Sequence, residues 1–226
     1  MSPKRPKLPG NAVDRLSATY QYLFGRKEET AQAGIESTLN RDVRDALISD
    51  ELRQEMARIL ALLAQQGFCP ARISEASLQF QENKFLVTRK DCWFQDLAED
   101  DLVLALAETG KIINSDQAPL HWDWHFEIYK KNPRIKAIIL GQPSAVMALA
   151  KKGELPKPEL LPVALEFIGE VQLCRPDLTC ISSQANNSNT YVIPGTGVLS
   201  TGKTLFEAAS NLELINKIGE ITLLSK

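Results

Sequence analysis

The stretch Asn189–Ala208 reads NTYVIPGTGVLSTGKTLFEA, and it admits two incompatible folds. Within it, Gly197–Thr204, GVLSTGKT, spells the phosphate-binding loop G-x-x-x-x-G-K-[ST] letter for letter. An apolar run, TYVI, precedes it, and a helical pattern on Leu205, Ala208, Leu212 and Ile215 comes after it. A phosphate loop works because glycines and small residues turn backbone N–H groups toward phosphate oxygens. Here the interior holds Val198 and Leu199, side chains that favour a pleated, half-buried surface. A nucleotide fold also needs an acidic magnesium ligand. The best buried strand upstream, AIILGQ at 137–142, ends without Asp or Glu, and only 22 residues (205–226) come after Thr204. The expectation is therefore strand, turn and strand passing into a helix, with Gly195, Gly197 and Gly202 as turn residues and no nucleotide.

At 226 residues, 44% hydrophobic and 24% charged, the chain suits one large globular domain with an extra arm. A formal net charge of −2 gives no general attraction to nucleic acid or to an anionic membrane. No apolar run approaches a bilayer span. The opening MSPKRPKLPG is basic and proline-rich without an apolar core, so it reads as a disordered start and not as a secretory signal. The four cysteines are scattered with no C-x-x-C pair, which points to reduced thiols and a cytoplasmic protein.

A helical arm is expected over 1–45 and the main domain over 46–226. Ser49 can cap a helix whose stripe is Leu52, Met56, Ile59, Leu60 and Leu63, with Gly67 ending it. SLQFQENKFLVTR (77–89) reads as a hairpin, and DLVLALAETGKII (101–113) as strand and turn. LHWDWHFEIYKKNP is a short helix stopped by Pro133. A buried strand, a turn at Gly141–Pro143 and a second helix come next, and Asp100-Asp101 reads as a solvated turn. This irregular alternation implies a mixed α/β domain.

The stretch APLHWDWHFEIYKKNPRIKAIILGQPSAVMALA (118–150) resembles the central block of the class II aldolase/adducin superfamily. That block runs P-S-S-E-W, a His-bearing helix ending I-Y, then R-P-x-V-x-A-V-V-H-T-H-P. Asn189–Ala208 resembles the later block, in which a strand leads to N-H-G and then to G-K-x-L-x-E-A. The match covers roughly residues 50–226 and is similar to fuculose-phosphate aldolase-like domains. It implies a three-layer α/β fold: a central, mainly antiparallel sheet flanked by helices.

The resemblance also implies a divalent metal, usually zinc, on three histidines from H-T-H and N-H-G, with the P-S-S-E glutamate moving protons beside it. This chain departs at each position. Leu140-Gly141-Gln142 stands for H-T-H, Gly195-Thr196-Gly197 for N-H-G, and His121 for the glutamate. The G-N of the family's G-N-x-S-x-R hairpin is placed near Glu75-Ala76, where an acidic side chain would repel a phosphate. Only two histidines exist, His121 and His125, so one chain cannot supply three. They share a helical face, with Asp123 about 200° round from His121. They are the sole candidates for a metal, and none is expected.

These departures imply a non-catalytic binding or structural protein, a pseudoenzyme with no cofactor. It would form a homo-oligomer, a tetramer by preference, because Trp122, Trp124, Phe126 and Tyr129 crowd a helix too short to bury all of them, so some rings should meet another element or another subunit. Its partner would be an unidentified protein or a small polar ligand. The alternative is a lyase- or epimerase-like enzyme on a small sugar or sugar phosphate with metal-independent chemistry. Its candidates are His121 as acid or base and Gln142, Thr196 and Ser144 as polar contacts.

Overall fold

The computed structural model describes residues 50–82, 84–106, 111–112, 117–185 and 188–225. The chain divides into two units, Met1–Ser49 and Asp50–Lys226. The arm expected over 1–45 lies outside the described residues, all of which belong to the second unit.

Helix α1 (Asp50–Gln65) begins with Asp50 and Glu51, acidic side chains suited to a helix N-terminus. It buries Met56, Ile59, Leu60 and Leu63 of the expected stripe, while Leu52 is half-buried. Gly67 ends it at φ = +80°, where Phe68 N–H returns to Leu63 O at 2.9 Å. The strands β1 (Glu75–Gln81) and β2 (Lys84–Thr88) form the hairpin. Next come β3 (Leu102–Leu106), β4 (Lys111–Ile112), α2 (Trp122–Lys131), β5 (Ala137–Gly141) and α3 (Ser144–Lys151). A proline-punctuated segment passes through the short α4 (Leu165–Ile168) to β6 (Val171–Leu173), α5 (Leu178–Gln184), β7 (Thr190–Ile193), β8 (Gly197–Gly202) and α6 (Leu205–Leu224).

The eight strands make one sheet in the order β4-β3-β2-β1-β5-β8-β7-β6, antiparallel throughout except for β6 with β7. On one face lie Phe85, Val87, Ile138, Leu140, Tyr191 and Leu199, packed with Trp122, Trp124 and Ile128 of α2 and Ile181 of α5. On the other, α6 packs on β8 and β5, and against α1 and α3. The result is the expected three-layer architecture with a mainly antiparallel centre.

GVLSTGKT is a strand and a helix start. Val198 and Leu199 pair with Gly141 and Leu140 of β5, and both are fully buried. Thr204 accepts from Glu207 N–H at 3.1 Å, while the Glu207 carboxylate accepts from Lys203 N–H at 3.0 Å. This reciprocal cap occupies N–H groups that a phosphate loop would offer to its ligand.

One expectation is sharpened and one is corrected. Of the two alternatives for the α2 rings, the described residues show another element: Trp122, Trp124 and Tyr129 are buried, and Phe126 is partly so. The reason is Phe85 of β2, whose ring lies 5.8 Å from Trp122, 6.5 Å from Phe126 and 4.6 Å from Tyr129. Trp122, Phe126 and Tyr129 stand at i, i+4 and i+7, one helical face, and a single sheet residue meets all three. Asp101 is no solvated turn. It is 5% exposed, pairs with Arg89, and accepts from Ala98 N–H at 2.9 Å.

Candidate active site

Antiparallel pairing of β1 with β5 sets Glu75 opposite Leu140 and Ser77 opposite Ile138. Side chains two apart on a strand share a face, so Glu75 and Ser77 both turn toward α2. His121, His125 and Tyr129 are four and eight apart, so they line one side of α2 and meet that face.

His121 stands at the N-cap of α2. Its backbone N–H reaches both Glu75 carboxylate oxygens, at 3.2 and 3.1 Å, and its Nδ1 lies 2.9 Å from Oε1. A carboxylate oxygen accepts here, so in the neutral imidazole Nδ1 carries the proton and Nε2 the lone pair. Nε2 makes no hydrogen bond among the described residues. The imidazole lies 4.1 Å from the Trp124 ring, centroid to centroid. Glu75 is 7% exposed at its side chain and His121 is 19% exposed.

Gln142 leaves the end of β5. Its Oε1 accepts from Ser74 Oγ at 2.8 Å, and its Nε2 reaches Ile73 O at 3.2 Å and Thr196 O at 3.5 Å. The amide thus ties the start of β1 to the β7–β8 turn. Thr196 is half-buried, and its hydroxyl makes no hydrogen bond among the described residues. Gly197 permits the approach, since a Cβ there would lie 2.5 Å from Gly141 O. Ser144 is exposed on the first turn of α3. The positions of His121, Gln142 and Thr196 therefore converge at one end of the sheet, with Glu75 as the partner that sequence reasoning missed. A groove of about 450 Å³ lies at the other end of β1, on Leu52, Met56, Leu78, Phe80, Lys136 and Lys203, away from these residues.

Ala71 takes φ = +53°, a left-handed conformation that favours glycine. Arg72 beside it is exposed, and Ser74 is buried.

The two histidines are held separately, His121 Nδ1 by Glu75 and His125 Nδ1 by Ser77 at 2.8 Å. Leu140 has no lone pair, and the Gln142 carbonyl is already engaged by Ser74. Among the described residues no three His, Cys, Asp or Glu side chains are grouped to hold a metal ion. The donor set does not fit a three-imidazole zinc centre.

His125 is fully buried, and burial pushes its pKa down to about 4. An unfolded histidine titrates near 6.5, so between those values the unfolded chain binds the extra proton, and stability falls as pH falls. From pH 7 to pH 5 this group is expected to remove about 2 kcal/mol. Urea titrations at both values should show that loss in wild type and a smaller one in His125→Gln. Equal losses would refute it.

The model of the Class II Aldolase and Adducin N-terminal domain matches residues 54–223. The chain belongs to that family. Among curated class II aldolase-type relatives, 3-oxo-tetronate 4-phosphate decarboxylase of Escherichia coli strain K12 is 24% identical over 187 residues, 78% of this chain and 88% of that protein. L-fuculose phosphate aldolase of Methanococcus vannielii is 27% identical over 176 residues, covering 74% and 93%. Among solved structures, YgbL from Escherichia coli aligns at TM-score 0.72 with 21% identity, over 78% of this chain and 90% of that one. L-fuculose-1-phosphate aldolase from Thermus thermophilus aligns at 0.67 with 19% identity, over 75% and 91%. These relatives include aldolases and decarboxylases. No helix among the described residues is long and apolar enough to cross a membrane.

Proposed function

We propose that this class II aldolase-type protein is a lyase- or epimerase-like enzyme acting on a small sugar or sugar-acid phosphate, with the Glu75–His121 pair as its acid–base device. The observation that carries the reading is the His121 Nδ1 bond to a buried carboxylate, at the same end of the sheet as Gln142 and Thr196. Nε2 takes a proton from the substrate, from carbon beside a carbonyl or from a hydroxyl whose C–C bond then breaks. Glu75 stabilises the resulting imidazolium. The Thr196 hydroxyl is a donor for the oxygen on which charge develops. Gln142 holds the turn that carries Thr196. Arg72, two residues before Ser74, offers a counter-charge for a phosphate, in keeping with the phosphorylated substrates in the names of the curated relatives.

The test is turnover of 3-oxo-tetronate 4-phosphate and L-fuculose 1-phosphate by chelator-treated protein, with solvent-deuterium exchange into each substrate as the more sensitive readout. Neither turnover nor exchange would sink the proposal. In parallel, the purified protein is expected to carry no stoichiometric zinc, because Leu140, Gln142 and Thr196 stand at the three ligand positions. One tightly held zinc per chain by elemental analysis would overturn the metal-independent part.

The second reading is a binding protein on a scaffold that has lost its metal centre, favoured by the same donor set. Ligand-dependent stabilisation without exchange or turnover would support it. Under either reading we propose a homo-oligomer, a tetramer by preference. The support is no longer the aromatic helix but two large apolar side chains flanking the site, Ile73 at 60% and Leu120 at 81% exposure. Light scattering is expected to give a multiple of the chain mass, and a monomer at every concentration would refute it.

A further inference from the structure

Below the Glu75–His121 contact lies a second one, two residues further along β1 and one turn further along α2. Ser77 Oγ is 2.8 Å from His125 Nδ1 and 2.8 Å from the Tyr129 hydroxyl, and that hydroxyl donates to Ser77 O at 3.0 Å. Ser77 and His125 are fully buried, and Tyr129 is 6% exposed. None of the three reaches solvent well enough to touch a substrate. Only His125 Nε2 among their buried side-chain nitrogens and oxygens lacks a hydrogen-bond partner.

We propose that Ser77, His125 and Tyr129 form a rotational lock for α2, with His125 as the neutral Nδ1–H tautomer, and that this lock holds the His121 imidazole against Glu75. The three are positioning residues. The use made of that alignment rests on the proposed acid–base role, whereas the lock itself does not.

Counting donors decides the tautomer. With the proton on Nδ1, His125 donates to Ser77 Oγ, Ser77 donates to the Tyr129 oxygen, and Tyr129 donates to Ser77 O. That is three bonds with every donor used, leaving only a bare Nε2 lone pair. With the proton on Nε2, Tyr129 must donate to Ser77 Oγ and Ser77 to His125 Nδ1. That leaves two bonds and a buried N–H with no acceptor. Each hydrogen bond contributes on the order of 1 kcal/mol, and an orphaned buried donor costs more. The first circuit wins on both counts. The low pKa of His125 keeps it neutral at physiological pH.

Directionality makes this a lock. The rings of α2 pack on Phe85, and apolar packing tolerates small rotations of a helix on a sheet. Hydrogen bonds weaken steeply with misalignment. Successive helix residues are about 100° apart, so a small turn of α2 strains the Ser77–His125 and Glu75–His121 contacts together. Breaking the lower contact therefore loosens the upper one, although no atom of Ser77 touches His121 in the hydrogen-bond pattern.

The full chain labelled with ¹⁵N-histidine gives only two side-chain spin systems, because it has two histidines. Wild type is expected to show His125 protonated on Nδ1 and a slowly exchanging His121 Nδ1–H. In Ser77→Ala the His121 Nδ1–H should exchange about ten-fold faster and His125 should become a tautomer mixture, as loss of about one hydrogen bond implies. Should Ser77→Ala fail to fold, Tyr129→Phe keeps the ring packing and removes one link, and about three-fold faster exchange is expected. A wild-type His125 protonated on Nε2, or unchanged His121 exchange in the folded variant, overturns the lock. No substrate enters these readouts, so a catalytically silent wild type would sink the acid–base role alone. An active enzyme whose Ser77→Ala variant keeps both its His121 exchange rate and its kcat would sink the lock alone.

Discussion

His121→Ala is expected to lower kcat/KM by about 10³-fold on whichever phosphorylated substrate turns over, within the range that a positioned acid–base side chain contributes. The fold should survive. The backbone N–H of residue 121 still reaches the Glu75 carboxylate in the variant, and the imidazole it loses is partly exposed. A stability cost of about 1–2 kcal/mol is expected, because the buried carboxylate loses one of its donors. Glu75→Gln keeps an acceptor for Nδ1–H and removes the charge that stabilises the imidazolium, so a smaller loss of about 10²-fold is expected. Ser144→Ala should change the rate less than about three-fold, since Ser144 lies exposed on α3 and a surface hydroxyl there makes no bond to the pair. The comparison is made at saturating and limiting substrate, so that loss of kcat separates from loss of binding. A His121→Ala rate within about five-fold of wild type would refute the assignment, whatever the other variants did.

The largest effect on stability is expected from Gly197→Ala. A Cβ at this position would lie 2.5 Å from Gly141 O, 3.0 Å from Leu140 Cδ1 and 3.3 Å from Gln142 Nε2. The nearest atom is backbone of β5, which pairs with β8 in the middle of the sheet and cannot swing aside as a long side chain can. Accommodation requires β8 to move off β5, at a cost of about 3 kcal/mol or more. For a domain of this size that lowers the melting temperature by roughly 10 °C. Gly153→Ala is the control: its φ is +73° but no atom lies within 4 Å of the added carbon. Its cost should be about 1 kcal/mol from backbone strain alone. Equal melting temperatures for the two variants would show that the β5–β8 contact tolerates a side chain, and with it a reshaped Thr196 turn.

The nearness of Gly197 to Gly141 and Gln142 shows where the sequence stops being sufficient. The string GVLSTGKT carried enough local information to be read as a strand and a helix start, because Val198-Leu199 disfavour a backbone nest and Thr204 with Glu207 is a local capping pair. The order of motifs from α1 to α6 was equally legible, and it led to the family. The left-handed backbone at Ala71 carries no glycine letter to announce it, and only φ reveals it.

By itself, then, the sequence determined most of the elements and a mixed α/β class, while the layer type came through its resemblance to the family. Periodicity, caps and turn residues act over a few neighbours and depend little on the rest of the chain. It also determined that one chain cannot hold a three-histidine metal site, since that comes from counting. Only the tertiary structure decided that Glu75 serves His121, 46 residues away, and that Ser77 serves His125, 48 residues away. It alone buried the α2 rings on Phe85 and paired Asp101 with Arg89. These contacts depend on the register of β1 against β5 and on which sheet face α2 covers. Register and face are set by packing two distant surfaces together, and no local pattern in either segment records the other.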